Sequence, residues 1–287
     1  MAAEYVSEAL GEAEGGLVGS ELGGISPSWL ADQLDERGVV RLRDLVTAEW
    51  LATMRESVLS SVARHGDGDL FITRPDQEIG SPAHQLMSDP ELRRLLDEVA
   101  RLRRPNAGPI QKFECNIPVR NGIGPKFRSN LFHYDPSVLT VVVPIFIPRN
   151  TVGRCGELAA FGNKRPFRRF VATHLMEAAL THNPLYRRHL VKKIDEDPQK
   201  YLLELHPGDG YVFWGYRQLH GNVICEPGLL RATLVIAFGE VHAGSWAIKA
   251  AWRFGRSRRD IGRRQCSPAA PGSAECPHQG SNLGPAD

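Results

Sequence analysis

Apolar residues recur three and four apart through the first hundred positions, then gather beyond Pro109 into short, β-rich runs. The change of period predicts helices followed by strands. Ser26 and Ser28 each offer an N-cap with Pro27 in the first turn, and Trp29, Leu30 and Leu34 follow at helical spacing. Gly38 closes that helix, Val39, Val40 and Leu42 make a short strand, and Thr47 caps a second helix carrying Trp50, Leu51, Met54, Val58 and Val62. Asp89 and Pro90 open another amphipathic helix through Leu92, Leu95, Leu96 and Val99. The strand candidates are 110–119, 138–147, 157–161, 211–216 and 229–238, separated by turn signals such as Asn121-Gly122, Pro207-Gly208-Asp209 and Pro227-Gly228. Pro144 interrupts the longest run, which predicts an edge, a bulge or a break there. A helical insertion over about 169–195 carries Phe170, His174, Leu175, Ala178, Leu185, Leu190 and Ile194, with a break before Pro184. No internal repeat has a fixed period.

Composition sets the outer limits. Residues 1–25 are rich in Ala, Glu and Gly and read as a disordered leader; 255–287 are dense in Arg, Gly, Pro and Ser and read as a disordered basic tail. The domain expected between them spans 26–254, within a chain of 287 residues. Hydrophobic residues at 42% and charged residues at 24% suit a globular protein, and no apolar run reaches the roughly 20 residues of a bilayer helix. A net charge of +2 gives no overall electrostatic case for nucleic acid as a partner. Five cysteines without the spacing of a disulfide scaffold favour a reducing, cytoplasmic setting, and Cys115, Cys155 and Cys225 read as small buried apolar residues.

Chemistry concentrates in four residues. In His133-Tyr134-Asp135, extended backbone would turn the His and Asp side chains to one face, where they could share a metal; the alternative is a solvated turn before a strand. His220 follows the YVFWGY run and could reach the same ion, or be a structural histidine. Arg231 lies within LLRATLVIAF, where alternation puts Leu229, Arg231, Thr233 and Val235 on one face. A guanidinium on such a strand needs an anion: a bound carboxylate, or a protein one such as Glu157 or Glu240. Two histidines and one carboxylate, with positions left open, form the facial arrangement of non-haem Fe(II) oxygenases. Phe113, Tyr134, Trp214 and Tyr216 could line a substrate pocket or belong to the core. His174, His182 and His189 lack a carboxylate or Cys to complete a metal set, and Cys266, Cys276 and His278 fit no common zinc spacing. Phosphate-loop and dinucleotide fingerprints are absent from the sequence.

The order H-x-D, distal His and then Arg eleven positions later resembles the phytanoyl-CoA dioxygenase superfamily of Fe(II)/2-oxoglutarate-dependent oxygenases. The segments LDERGVVRLRDLVTAEWLATMRESV and PGDGYVFWGYRQLHGN are similar to that family's N-terminal elements and to its strand before the distal His. The resemblance covers about residues 27–242. It implies a mainly β fold with flanking helices, a double-stranded β-helix or jelly roll. It implies Fe(II) on His133, Asp135 and His220, with Arg231 on the distal carboxylate of 2-oxoglutarate and Thr233 and Asn222 as further co-substrate contacts. Dioxygen would be the second co-substrate, and succinate and carbon dioxide would accompany hydroxylation of a small organic molecule. Asp135 stands where related halogenases carry a small residue, which favours oxidation over halide transfer. GELAAFGNKRPFRRF departs from the family's Pro-Gly-Ser-His turn, so specificity does not carry over. The rivals are a non-catalytic binding or regulatory protein on the same fold and a protein or nucleic-acid hydroxylase.

Overall fold

The computed structural model describes residues 22–66, 68–104, 112–120, 130–148, 154–164, 183–226 and 228–240. Helix α1 (Pro27–Arg37) begins where the Ser26 hydroxyl accepts from the Trp29 N–H, and it ends at Gly38. After strand β1 (Val39–Leu42), the Thr47 hydroxyl caps α2 (Ala48–His65) by accepting from the Trp50 N–H. Strand β2 (Leu70–Thr73) and α3 (Pro82–Met87) follow, and Asp89 then caps α4 (Pro90–Arg103). Each of these helices places Pro or an acidic residue in its first turn, where unsatisfied N–H groups favour them.

The remaining elements are β3 (Phe113–Arg120), β4 (Ser137–Phe146), β5 (Leu158–Asn163), α5 (Pro184–Glu196), α6 (Pro198–Tyr201), β6 (Leu202–Leu203), β7 (Gly210–Phe213), β8 (Gln218–Asn222) and β9 (Arg231–Glu240). They build a six-stranded sheet, β1-β7-β4-β9-β3-β2, and a three-stranded sheet, β6-β5-β8, with antiparallel pairing throughout. The expected mainly β, jelly-roll architecture with flanking helices is observed as these two sheets packed face to face.

Alternation along the strands gives each sheet two different faces. On the large sheet, Cys115, Ile117, Val119, Leu139, Val141, Val143, Val212, Ala232, Leu234, Ile236 and Phe238 pack with Leu30, Leu34, Trp50, Met54, Leu92, Leu95 and Leu96 of the helices. The opposite face supplies Val142, Tyr211 and Phe213, which meet Leu158 and Leu205 from the side of the small sheet. The outer face of the small sheet is covered in turn by α5, where Leu190 and Ile194 pack on Phe132, Ala159, Phe161, Leu219 and Val223. Residues 218, 220 and 222 of β8 are therefore left facing the interior between the sheets.

Pro144 sits in a central strand, and the ladder shows how. β7 pairs with β4 only at Thr140–Val142, and the β4–β9 register shifts between Pro144 and Phe146. The missing N–H thus falls beyond the β7 ladder, at a bulge. Nearby, the Asp209 carboxylate binds the Arg41 side chain at 2.5 Å and accepts from the Asp44 N–H at 2.9 Å, tying the loop after β1 to the turn that opens β7.

Several boundaries differ from expectation. The leader was expected to reach residue 25, but Leu22–Gly24 form a 3-10 turn and Leu22 is buried, because its side chain finds a place in the helix-side core. The strand expected over 211–216 stops at Phe213; residues 215–217 form a turn, and His220 lies inside a separate strand. Of the insertion at 169–195, helix α5 begins at Pro184 under an Asn183 cap, matching the expected break. The part at 169–182, with His174 and His182, lies outside the described residues, as do the expected tail, Cys266, Cys276 and His278.

Candidate metal and anion site

The turn after β7 brings the first chemical groups together. The Asp135 N–H donates to the Gly215 carbonyl at 2.9 Å, and the Gly215 N–H donates to that of Val138 at 3.1 Å. Only glycine fits at 215, since a β-carbon there would meet the Thr140 hydroxyl at 2.6 Å and run into that of Ser137. The chain then reverses into β8. His133 and His220 exchange backbone hydrogen bonds of 2.8 and 3.1 Å across an antiparallel bridge, which sets their rings 4.6 Å apart.

Three donor atoms converge from this framework. His133 Nε2 lies 3.4 Å from Asp135 Oδ1, His220 Nε2 lies 3.5 Å from Asp135 Oδ2, and all three ligand atoms fall within 4.8 Å of one another. Each imidazole places its other nitrogen on a backbone carbonyl: His133 Nδ1 is 3.1 Å from the Leu131 oxygen, and His220 Nδ1 is 3.1 Å from the Gln218 oxygen. A carbonyl can only accept, so Nδ1 carries the proton and Nε2 offers its lone pair toward Asp135. The Thr140 hydroxyl donates to Asp135 Oδ2 at 2.6 Å and fixes the carboxylate's rotation. Cis ligands about 2.1 Å from a small divalent ion stand roughly 3 Å apart, so a slight contraction of this set suffices. The donor types, two imidazoles and one carboxylate on one side, fit a first-row metal with open positions.

Electrostatics agree with that use. Burial opposes charge on Asp135, but the facing His220 and His133 and the Thr140 hydroxyl outweigh it and hold the carboxyl well below the usual carboxylate range. Burial pushes His220 down, toward the neutral ligand form. His133 is also penalised by burial, yet its contact with Asp135 raises it. The His133 side chain is 44% exposed and that of His220 only 8%, so the site opens on the His133 side. Phe213, fully buried, backs the His220 ring at 4.6 Å between centroids.

Arg231 lies on the adjoining wall. Its Nη2 donates to Asn222 Oδ1 at 3.0 Å, and Asn222 is two residues from His220 on the same face of β8. Two strand residues span about 6.6 Å, which sets the scale between the guanidinium and the histidine. Arg231 is 2% exposed, yet its Nε and Nη1 have no hydrogen-bond partner. Neither carboxylate weighed from the sequence bonds to it: Glu157 accepts from the Cys155 N–H at 3.1 Å, and Glu240 faces Lys112 at 3.5 Å. Burial brings the Arg231 guanidinium down to about 10. Thr233 is buried opposite Pro144 on the same strand face. Gly156 closes the wall: a β-carbon there would stand 2.8 Å from Arg231 Cδ, and its φ of +74° is one that other residues rarely adopt.

The aromatic candidates divide differently from the pocket reading. Trp214 and Tyr216 are fully buried in the helix-side core, and Phe113 packs on that core edge-to-face with Phe238. Tyr134 packs with the cluster under α5, since neighbours on extended backbone point opposite ways and its own neighbours face the metal site. The pocket-lining expectation is corrected to core packing for Phe113, Trp214 and Tyr216. Thr140, Phe213 and Gly156 were not picked out from the sequence. Thr140 had a visible signal, as the one polar residue in VLTVVV five positions after Asp135; the other two had none.

No protein-family model matches the chain, and no curated protein matches it in sequence. Among solved structures, it is similar to a prolyl hydroxylase of Trichoplax adhaerens, in complex with a hypoxia inducible factor peptide fragment. That match has 13% identity over 75% of this chain and 89% of that one, with a TM-score of 0.48. SnoK, a non-heme alpha ketoglutarate dependent carbocyclase from nogalamycin biosynthesis, matches at 13% identity over 88% and 96% of the two chains, with a TM-score of 0.48. EctD from S. alaskensis, with 2-oxoglutarate and 5-hydroxyectoine, matches at 17% over 75% and 76%, with a TM-score of 0.47.

Proposed function

We propose that this chain is an Fe(II)- and 2-oxoglutarate-dependent oxygenase of the phytanoyl-CoA dioxygenase type that hydroxylates a small organic molecule. One observation carries the reading: a His133, Asp135 and His220 donor set shares an interior with a buried guanidinium that has two unpartnered nitrogens. A buried charge without an anion costs several kcal/mol, so a protein that keeps one there uses it for a ligand. His133, Asp135 and His220 would hold the iron, Arg231 and Asn222 the distal carboxylate of 2-oxoglutarate, and Thr233 would add a hydroxyl to the same wall. When bound, the iron would couple loss of carbon dioxide from 2-oxoglutarate to transfer of an oxygen atom from dioxygen to the substrate, with succinate as by-product. The chain's own contribution is orientation: backbone carbonyls present both Nε2 atoms, Thr140 aims the carboxylate, and the buried walls keep water from Arg231. The cysteine usage supports a reducing, cytoplasmic setting for it.

Anaerobic addition of Fe(II) and then 2-oxoglutarate is expected to give a visible metal-to-ligand charge-transfer band in the wild type and none in His133→Ala. Admitting oxygen should then release succinate. A wild type without the band, or His133→Ala with the band unchanged, overturns the assignment.

A further inference from the structure

Beyond the end of the β5–β8 ladder, residues 154–156 run antiparallel to 224–226. The Gly156 N–H donates to the Ile224 carbonyl and the Glu226 N–H to that of Arg154, both at 3.0 Å, with Cys155 directly opposite Cys225. Those bonds flank the pair instead of joining it, so the cysteines hold a non-hydrogen-bonded position. Opposed α-carbons come to about 4.5 Å at such positions, with both side chains on one face. A disulfide needs α-carbons roughly 4.4–6.8 Å apart and β-carbons at about 3.5–4.5 Å, so closing one asks for little backbone movement. Both residues are thiols here and both are partly exposed, unlike the fully buried Cys115.

We propose that Cys155 and Cys225 form a redox-responsive pair that closes to a disulfide on the wall of the Arg231 site. The oxidant is a low-molecular-weight disulfide. The Cys155 thiolate attacks one of its sulfurs, breaking the S–S bond and releasing one small thiol; the Cys225 sulfur then loses its proton, attacks the Cys155 mixed disulfide and releases the second. Two protein thiols are oxidised and one small disulfide is reduced to two thiols. Burial raises the Cys225 thiol, which disfavours it as the thiolate that makes the first attack.

The pair abuts the anion wall. Arg231 Cδ and Cys225 Cβ both lie within 3.1 Å of where a Gly156 β-carbon would stand, and Gly156 directly follows Cys155. Fixing Cys225 to Cys155 repositions the Cys225 β-carbon beside Gly156, and with so little space left against the Arg231 stem even a small shift moves the guanidinium from its place beside Asn222. The metal ligands lie on other segments and keep their geometry. Oxidation therefore weakens 2-oxoglutarate binding, by roughly tenfold, while Fe(II) binding persists. This consequence rests on the function proposed above; the disulfide itself does not.

The test equilibrates the full-length protein with oxidised glutathione, alkylates residual thiols and maps peptides by mass spectrometry. A dithiothreitol-sensitive peptide joining residues 155 and 225, absent from Cys155→Ser and Cys225→Ser, is expected, with a thermal midpoint raised by roughly 5–10 °C. Glutathione adducts on either residue without the joined peptide overturn the pair. Anaerobic 2-oxoglutarate titration of the Fe(II)-loaded oxidised and reduced forms then reads the effect. Equal affinities, or the same loss in oxidised Cys155→Ser, overturn the regulatory role; absence of binding even in the reduced form, with the joined peptide present, overturns the oxygenase reading and leaves the disulfide standing.

Discussion

The two faces of the six-stranded sheet are built from the same strands and serve opposite ends. Toward the helices, Ala232, Leu234, Ile236 and Phe238 of β9 enter a continuous apolar core. Toward the small sheet, the alternate positions of that strand are Arg231, Thr233 and Val235, and β4 adds Thr140 and Val142 to the same face. Burial alone does not distinguish the faces, since Arg231 at 2% is nearly as enclosed as Ile236. They differ in satisfaction: the helix-side face has its apolar groups packed, whereas the inner face keeps two guanidinium nitrogens without a partner. Stability is concentrated on one side, and an incompletely satisfied polar wall is tolerated on the other.

Substitutions on the two faces should therefore differ in kind as well as size. Phe238→Ala, on the helix side, empties a site shared with Phe113 and is expected to lose about 3–5 kcal/mol of stability by denaturant unfolding, with Fe(II) affinity intact in the folded fraction. Arg231→Met, one face away on the same strand, is expected to cost no stability, because it removes a buried unpaired charge. It should instead weaken 2-oxoglutarate binding by about 3 kcal/mol in anaerobic titration. A large stability loss in Arg231→Met would break the contrast. Thr140→Val keeps the shape of β4 and deletes the hydroxyl that aims Asp135; Fe(II) affinity measured by chelator competition should fall about 10- to 100-fold. The smallest effect is one of pH. Burial lowers Arg231 to about 10, and the charged form persists below that value. Affinity for 2-oxoglutarate should thus stay level between pH 7 and 9 and decline only as pH rises through 10, a decline that Arg231→Met abolishes.

Local signals were legible wherever the physics is local. Ser26, Thr47 and Asp89 cap helices as their sequence positions predict, because a side-chain oxygen reaches an N–H two or three residues on whatever the rest of the chain does. The metal triad was legible for a similar reason: H-x-D puts two donors on one face, and few residue types can ligate an ion. The anion wall was half legible. Arg231 stood out as a charge in an apolar run, but Gly156, 75 positions earlier, shows nothing in sequence of its approach to the guanidinium. Strands β2 and β6 also escaped notice, since strands of four and two residues carry too little periodicity.

By itself, the amino-acid sequence determined the starts of α1, α2, α4 and α5, the main strands and the four residues able to ligate a metal and grip an anion, because these follow from side-chain chemistry and the period of the backbone. Tertiary structure alone decided which strand face looks inward. Where both faces of a strand are apolar, alternation divides the residues into two sets without saying which set meets the helices. Beyond the strands, tertiary packing also put Trp214 and Tyr216, in the turn after β7, into the core while Phe213 backs a histidine, and it set Cys155 opposite Cys225, seventy residues away.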